Sequence, residues 1–384
     1  MTVPDWAKPP PGICPGGAGV EFWTPLSARP ALIAERARQH EEAGWDGVFV
    51  SDSQCLLPDA FVALTLAASA TKRLRLAPFA ANPVTRHVSV TAAAIAALHA
   101  ASGYRAVLGV GRGDSALAHL GRPPVPAAEF ERFVIEVRAL LSGAAVAIEA
   151  VPEGRAPAAL PLAAAPAQTS LHWLDPAAPR VAVAVVASGP RVISIGGSHA
   201  DQVLLAVGAD PRRIAWGIAT AREAAAAAGR DPDALRLGAL LTVVPLDDIG
   251  AATRLAAANV ASVARFAVMH GQRPAGPLSQ TALTVYRRLA DNYDMTRHAQ
   301  PRSLQAAVLT DEFIREFAIV GPADRCVERL ADIAASGITR FVLVPPAVEE
   351  LSRAQDRAEA CLFEEVRSGL SGDLLPRARQ RLDE

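Results

Sequence analysis

The sequence has few cysteines, and none of them is spaced for metal binding. There are four in 384 residues, with no Cys-x-x-Cys pair, and the eight histidines form no ligand pattern with them. This absence predicts no structural metal site and reduced thiols at Cys14, Cys55, Cys326 and Cys361. No metal is therefore expected among the cofactors.

Other absences exclude whole classes of protein. No Gly-Lys pair exists for a P-loop. The amino-terminal residues lack the apolar core of a signal peptide, and no apolar run reaches about 20 residues, so we expect neither a secretion signal nor a transmembrane helix. The formal net charge of -1 gives no reason to expect binding to nucleic acid or to a membrane. These features predict a cytoplasmic protein whose partner is a small-molecule substrate.

Apolar strands and helices alternate along most of the chain, which is 51% hydrophobic. The alternation predicts a parallel sheet covered by helices, and the length favours a closed (β/α)8 TIM barrel over an open doubly wound sheet. We expect one barrel domain, 19–370, between a proline-rich arm, 1–18, and a charged tail, 371–384. The predicted strands are 19–24, 45–50, 74–80, 105–110, 181–186, 199–206, 235–244 and 340–344.

Two stretches interrupt the alternation and are predicted to be insertions. Residues 142–180 are rich in alanine and proline, so we expect part hairpin and part loop. Residues 271–317 read as irregular, and they are expected to fold over a site or to make a subunit contact. Long loops inside compact domains are often functional lids.

The segment 108–115, Leu-Gly-Val-Gly-Arg-Gly-Asp-Ser, ends the fourth predicted strand. Its three glycines leave N–H groups uncovered and permit positive φ, Arg112 can reach an anion, and Asp114 can cap the next helix or face a ligand. Asp114 stands where a dinucleotide fingerprint requires its last glycine, so a nicotinamide site is not predicted. The segment is therefore either a ligand-binding turn of another type or a plain strand-to-helix turn.

A second turn of small residues, 187–191, follows the fifth predicted strand. Its sequence, Ala-Ser-Gly-Pro-Arg, suits the start of a helix, where free N–H groups bind anions and Arg191 adds positive charge. Simple helix capping is the alternative. Because both turns carry an arginine at a strand end, a phosphate held between barrel loops would explain them together.

One carboxylate, Glu21, lies in the otherwise apolar first strand. A buried charge is costly unless it is paired or used, so Glu21 is either functional, or faces outward or forms a structural ion pair. Polar residues also follow the second and third strands, where Asp52, Ser53 and Asn82 are loop or site residues. His87 is expected at the start of the next helix, in a structural role.

Five segments in this order resemble the bacterial luciferase-like family of flavin and deazaflavin oxidoreductases. The resemblance is greatest to the branch typified by methylenetetrahydromethanopterin reductase, which uses coenzyme F420, a 5-deazaflavin. The segments are Val-Glu-Phe at 20–22, Gly-Trp-Asp-Gly-Val-Phe-Val-Ser-Asp at 44–52, Asn-Pro-Val-Thr-Arg-His at 82–87, Leu-Gly-Val-Gly-Arg-Gly-Asp at 108–114 and Ala-Ser-Gly-Pro-Arg at 187–191.

The resemblance implies a TIM barrel that binds the flavin or deazaflavin ring at its carboxyl-terminal mouth. It also implies a non-prolyl cis peptide bond between Phe79 and Ala80, behind the ring, and a cofactor phosphate near the two small-residue turns. The residues implied to bind the cofactor are Asp52, Ser53, Phe79, Ala80, Asn82, Gly111, Arg112, Gly113, Ser188, Gly189, Pro190 and Arg191.

Three positions match residues near the hydride-transfer centre of that branch: Glu21, Thr24 and Asp114. Carboxylates in an apolar barrel mouth should have raised pKa values, so Glu21 and Asp114 are expected jointly to donate a proton or to stabilise charge. The chain departs from the family where Ala-Asp-Gln at 200–202 replaces the usual Ala-Asp-Gly. The insertions carry no recognised motif, so the methanopterin substrate does not carry over.

Three functions remain open from the sequence. The first is an oxidoreductase that moves a hydride between coenzyme F420 and a small organic substrate. The second is an FMN-dependent monooxygenase of the same fold, and the third is a family member without catalytic activity. The resemblance also implies a homodimer formed through helices of the first half of the chain.

Overall fold

Eight parallel strands surround the centre of the molecule in the computed structural model, which describes residues 20–147, 166–269, 272–300, 302–346, 353–366 and 369. The described residues form eleven strands in all: β1 (Glu21–Pro25), β2 (Gly47–Val50), β3 (Arg75–Pro78), β4 (Val107–Val110), β5 (Val146–Ala147), β6 (Gln168–Thr169), β7 (Ala182–Ala187), β8 (Gln202–Leu205), β9 (Arg236–Pro245), β10 (Ile319–Gly321) and β11 (Arg340–Val344). Of these, β5 and β6 form a separate antiparallel pair, and β10 adds to β9 outside the barrel.

The barrel order is β3-β2-β1-β11-β9-β8-β7-β4. Parallel bridges from Leu76 to Ala106 and from Ala81 to Val110 bring the two ends of this sheet together. The structure therefore confirms the predicted (β/α)8 TIM barrel, as a nearly closed ring of eight parallel strands. In such a barrel all strands point the same way, so the residues that follow them gather at one mouth.

Helices cover the outside of the barrel. They are α1 (Pro30–Glu42), α2 (Ala60–Ala70), α3 (Val88–Ala101), α4 (Ser115–Ala118), α5 (Ala127–Leu141), α6 (Pro190–His199), α7 (Pro211–Ala227), α8 (Ile249–Ala264), α9 (Gln280–Asn292), α10 (Leu304–Ala307), α11 (Asp311–Phe317), α12 (Ala323–Ala335) and α13 (Arg353–Cys361). Local signals set several starts; for example, the carboxylate of Asp59 accepts hydrogen bonds from the first-turn N–H groups of α2.

Alternate residues of each barrel strand pack on opposite sides. Trp23, Phe49, Ala77 and Val342 are among the residues that fill the barrel interior. Their strand neighbours, such as Val48, pack outward into the larger core beneath the helices. This alternation decides which strand residues can reach the mouth of the barrel.

The structure corrects two of the predicted boundaries. Residues 271–317 are not irregular, because α9, α10 and α11 lie within them; Ser279 and Thr310 cap α9 and α11 through their hydroxyl groups. His199 ends α6 and does not begin a strand, so the sixth barrel strand starts only at Gln202.

The first insertion contains the short antiparallel pair of β5 and β6, which fits the expected hairpin, although residues 148–165 lie outside the described part. The predicted arm, 1–18, and tail, 371–384, also lie outside it. Within the described residues, no helix is both long enough and apolar enough to span a bilayer. The same residues contain no group of three or more potential metal ligands.

Candidate active site

A cavity of about 730 Å³ opens at the carboxyl-terminal ends of the barrel strands. All of the residues implied to bind a cofactor lie on its wall, and so does Asp114. These twelve residues are Asp52, Ser53, Phe79, Ala80, Asn82, Gly111, Arg112, Gly113, Ser188, Gly189, Pro190 and Arg191. The structure thus brings these residues together, while their contact with a cofactor stays a prediction.

Apolar side chains line the deep part of the cavity. Phe49 and Phe79 pack with ring centroids 5.2 Å apart, and Leu204, Leu240 and Val344 line the cavity with them. The peptide bond between Phe79 and Ala80 is cis, as the resemblance implied. A floor of this kind suits one face of a flat, largely apolar ring system.

Two glycines of the segment 108–115 lie where neighbouring side chains leave no room for a Cβ atom. A Cβ atom on Gly109 would lie 2.0 Å from Cδ1 of Phe79, and one on Gly113 would lie 2.4 Å from Cδ1 of Leu117. Gly113 also has a φ of +88°, a conformation that favours glycine. The backbone is tied down on the same side, because the N–H of Gly111 donates to the carbonyl of Ala81 at 2.9 Å.

Two arginines, Arg112 and Arg191, line the cavity close enough together for their charges to interact. Nε of Arg112 donates to the carbonyl of Val125 at 2.6 Å, which fixes its guanidinium. Burial lowers the pKa of Arg112, and the nearby charge of Arg191 lowers it further. Gly189 lines the same cavity, directly before α6, and makes no side-chain cap. Two adjacent cations beside an uncapped helix start make a binding site for an anion such as a phosphate.

The loop after β2 carries a buried ion pair. Asp52 and Arg86 form a 2.5 Å contact, and Arg86 also contacts Asp59 at 2.6 Å. Burial raises the pKa of Asp52, and Arg86 only partly opposes this. Next to it, the hydroxyl groups of Ser53 and Ser115 lie 2.7 Å apart, which ties the β2 loop to the loop after β4.

Asn82 lines the cavity, and its buried amide nitrogen has no hydrogen-bond partner among the described residues. Its oxygen accepts from the N–H groups of Val84 and Thr85, both at 3.0 Å, so its orientation is fixed. The residue is only 1% exposed. Leaving a buried donor unpaired is costly, so the site fits a ligand that supplies an acceptor here.

Asp114 contacts a group of polar side chains that was not predicted from the sequence. Asp114 forms an ion pair with Arg265, which directly follows α8. The Arg265 guanidinium lies over the ring of Tyr293, 4.4 Å from its centroid. The hydroxyl of Tyr293 is hydrogen-bonded to Nδ1 of His298 at 2.6 Å, and His298 lines the cavity. These contacts place part of the second insertion over the site, one of the two roles expected for it.

The structure does not bring Glu21 to the cavity. Glu21 is the first residue of β1 and pairs in register with Arg340, the first residue of β11. It therefore lies at the amino-terminal end of the barrel, where its carboxylate contacts Arg340 at 2.6 Å, Arg236 at 2.8 Å and Arg75 at 3.0 Å. The expected position at the mouth is wrong, because the mouth receives residues from the ends of strands and not from their starts.

The raised pKa expected for Glu21 is wrong as well. Burial raises its pKa, but Arg340, Arg75 and Arg236 together lower it to about 2. The carboxylate is thus a strongly held anion in a structural cluster, opposite to the raised pKa expected for a proton donor. The sequence does contain a signal for this, since β3, β9 and β11 each begin with an arginine.

Thr24 is also absent from the cavity wall. It alternates with Trp23, which fills the barrel interior, so its side chain belongs to the outward-facing side of β1. Thr24 is 1% exposed, and its hydroxyl has no hydrogen-bond partner among the described residues. Of the three predicted catalytic residues, only Asp114 reaches the cavity.

The sequence profile of the luciferase-like monooxygenase family matches residues 15–340. The chain belongs to this family. That result confirms the resemblance, and it places this TIM-barrel protein in a family of oxidoreductases that use FMN or coenzyme F420.

Among curated proteins, the chain is similar to the 5,10-methylenetetrahydromethanopterin reductase of Methanolobus tindarius, with 36% identity over 99 residues. That match spans 26% of this chain and 29% of the reductase. Its fold is similar to the coenzyme F420 dependent tetrahydromethanopterin reductase of Methanopyrus kandleri, with a TM-score of 0.67 and 22% identity over 92% of this chain and 99% of the other. An F420-dependent secondary alcohol dehydrogenase also has a TM-score of 0.67, with 17% identity and the same coverage.

Proposed function

We propose that this luciferase-like protein transfers a hydride between coenzyme F420 and a small organic substrate at the mouth of the barrel. The observation that carries the proposal is the cavity itself, which joins an apolar floor to the cationic corner of Arg112 and Arg191. The local similarity to methylenetetrahydromethanopterin reductase favours F420 over FMN. A deazaflavin, when bound, supplies two-electron hydride chemistry.

The residues of the chain have separate tasks in this proposal. Arg112, Arg191 and the start of α6 would hold the cofactor phosphate, because an anion there relieves the repulsion between the two guanidinium groups. The unpaired amide nitrogen of Asn82 would donate to a polar atom of the cofactor. The floor around Phe79 would exclude water from one face of the ring.

Asp114 would act at the substrate side of the cavity. Its carboxylate is paired with Arg265, so it is held in place and its charge is balanced. In this arrangement it orients the polar group of a substrate or of a neighbouring side chain. The role that the sequence assigned jointly to Glu21 and Asp114 is thus proposed for the Asp114 region alone.

The test is an equilibrium titration of the purified protein with oxidised F420 and, separately, with FMN, followed by cofactor fluorescence. We expect F420 to bind at least about tenfold more tightly, a difference of about 1.4 kcal/mol. Arg191→Gln should weaken F420 binding at least about tenfold, because hydrogen bonds to charged groups contribute roughly 1.5 to 3 kcal/mol. Arg122→Gln is the matched control, since Arg122 is exposed and does not line the cavity.

Each other outcome of the titration points to a different function. Tighter binding of FMN would contradict the proposal and favour the FMN-dependent monooxygenase, for which oxygen uptake with reduced FMN is the next assay. If neither cofactor binds, the non-catalytic alternative becomes the better description. Unchanged F420 affinity in Arg191→Gln would show that the phosphate lies elsewhere.

We also propose a homodimer through the helices of the first half of the chain. Val62 and Leu66 of α2, Leu32 of α1 and Val90 of α3 are large apolar side chains that remain exposed, Val62 to 57%. Exposed apolar side chains on neighbouring helices are typical of protein interfaces.

A further inference from the structure

Four side chains from separate segments form a chain of contacts that ends at the cavity. Asp114 follows β4, Arg265 follows α8, Tyr293 follows α9 and His298 follows a short 3-10 turn at Met295–Arg297. Asp114 binds Arg265, Arg265 lies over the ring of Tyr293, and Tyr293 binds His298. We call these four residues the His298 group.

The contacts fix which nitrogen of His298 is available to a ligand. Nδ1 is hydrogen-bonded to the hydroxyl of Tyr293 at 2.6 Å. Within the described residues this is the only hydrogen bond recorded for the imidazole, and the side chain lines the cavity. Nε2 is therefore the nitrogen left for a ligand in the cavity. An imidazole held at one nitrogen and free at the other is the usual arrangement of a proton-exchanging histidine.

We propose that His298 exchanges a proton with the oxygen of the substrate through Nε2, that Tyr293 positions it, and that the substrate is therefore an alcohol and its carbonyl partner. This inference rests on the proposed function. A hydride that adds to a neutral carbonyl leaves negative charge on oxygen, so a proton must follow, whereas addition to a cationic acceptor needs none. A proton-exchanging group beside the substrate therefore indicates a neutral acceptor, and the class of neutral acceptor proposed here is a carbonyl.

The reaction balances in both directions. In alcohol oxidation the O–H proton moves to Nε2 of neutral His298, the O–H electron pair forms the C=O π bond, and the hydride leaves carbon for oxidised F420. In carbonyl reduction the hydride comes from reduced F420, the π pair moves to oxygen, and the oxygen takes the proton from Nε2 of protonated His298. After each turnover solvent resets His298, taking up its extra proton after alcohol oxidation and supplying the lost proton after carbonyl reduction. In both protonated states Nδ1–H can donate to the oxygen of Tyr293.

The charges around His298 set its resting state. Burial lowers its pKa below the usual 6.5, the charges of Arg265 and His119 lower it further, and Asp114 opposes them. Tyr293 stays protonated, because burial raises its pKa above 10.0. His298 is thus neutral near pH 7, the form that accepts a proton from an alcohol. The rate of alcohol oxidation at low substrate concentration should therefore rise with pH through the pKa of His298 and then level off.

The first test needs no turnover. The protein is labelled with 15N-histidine, the imidazole of His298 is assigned from its loss in His298→Asn, and its resonances are followed from pH 5 to 8. We expect a midpoint below 6.5, and a change in the Nδ1 shift in Tyr293→Phe because its hydrogen bond is lost. Tyr286→Phe is the matched control, since Tyr286 lies on α9 and does not line the cavity. An Nδ1 shift unaffected by Tyr293→Phe would overturn the positioning role.

The second test measures reduction of F420 by butan-2-ol, cyclohexanol and 1-phenylethanol, and oxidation of reduced F420 by the matching ketones. We expect His298→Asn to lower kcat/KM at least about 100-fold, the usual contribution of general base catalysis, with F420 affinity unchanged. Tyr293→Phe should lower kcat/KM less and alter its pH midpoint. Activity of His298→Asn within threefold of wild type would overturn the inference.

The two proposals fail in different ways. If the wild-type protein does not bind F420, the proposed function is wrong. If it binds F420 but none of these alcohols or ketones reacts, the proposed substrate class is wrong and the cofactor assignment stands. If His298→Asn loses F420 affinity, Tyr293→Phe provides the readout, because it removes one hydroxyl and leaves the imidazole in place.

Discussion

Replacing Glu21 with glutamine should destabilise the fold and leave the cavity unaffected. Burial raises the pKa of Glu21, but three arginines lower it from 4.5 to about 2. At about 1.4 kcal/mol per pKa unit, this difference means that the ionised carboxylate stabilises the fold by about 3 kcal/mol. The stabilisation is fully present above pH 4.5 and is lost as the pH falls toward 2, because the folded-state pKa is the lower one.

Glutamine keeps the shape of the side chain and removes its charge. Arg340, Arg236 and Arg75 then face one another without an anion, in a cluster where burial and the other two arginines already lower the pKa of Arg340 to about 10. We therefore expect Glu21→Gln to lower the free energy of unfolding at pH 7 by about 3 kcal/mol, within the range for breaking a buried pair.

The assay is denaturant unfolding of both proteins at about pH 7 and at about pH 3, with F420 titration in parallel. The stability difference should narrow at the lower pH, and F420 affinity should not change. Glu35→Gln is the control, because the ion pair between Glu35 and Arg38 is exposed and its loss should have no measurable effect. A Glu21→Gln protein that is as stable as wild type but no longer binds F420 would refute the reasoning and return Glu21 to the cofactor site.

Three further predictions follow from single contacts. Asn82→Asp keeps the oxygen that accepts from the backbone and removes the free amide donor, so fluorescence titration should show at least about tenfold weaker F420 binding; unchanged affinity would mean that the donor meets no cofactor. Gly109→Ala places a Cβ against Phe79 and should destabilise the fold by about 1 to 3 kcal/mol in denaturant unfolding. Val62→Glu, alone or with Leu66→Glu, should convert a dimer to a monomer in light scattering; a monomeric wild type would contradict the proposed interface.

Most residues at the mouth of the barrel could be predicted from the sequence, because the ends of the apolar strands can be recognised in it. Asp52, Asn82, Asp114 and the turn at 187–191 each follow an apolar segment, and parallel strands place such residues at one edge. The same pattern does not hold for Glu21, which begins its strand and therefore lies at the opposite end of the barrel. Whether a polar residue precedes or follows its strand decides at which end of the barrel it lies, and the residue type alone does not.

The contacts that join Asp114 to the other members of the His298 group could not be predicted from the sequence. Its central ion pair joins Asp114 to Arg265 across 151 positions of the chain. The tyrosine and histidine that complete it follow α9, in a segment with no recognised motif. Contacts of this kind depend on how helices α8 and α9 pack over the barrel, and no local pattern encodes that packing.

The most direct test of the central claim is a crystal structure of the protein with oxidised F420. We expect the deazaflavin ring on the floor formed by Phe49 and Phe79, the phosphate between Arg112 and Arg191, and a cofactor atom accepting a hydrogen bond from Asn82. His298 should face the space beside the ring. A ring or phosphate bound outside this cavity, or a cavity that takes FMN and not F420, would contradict it.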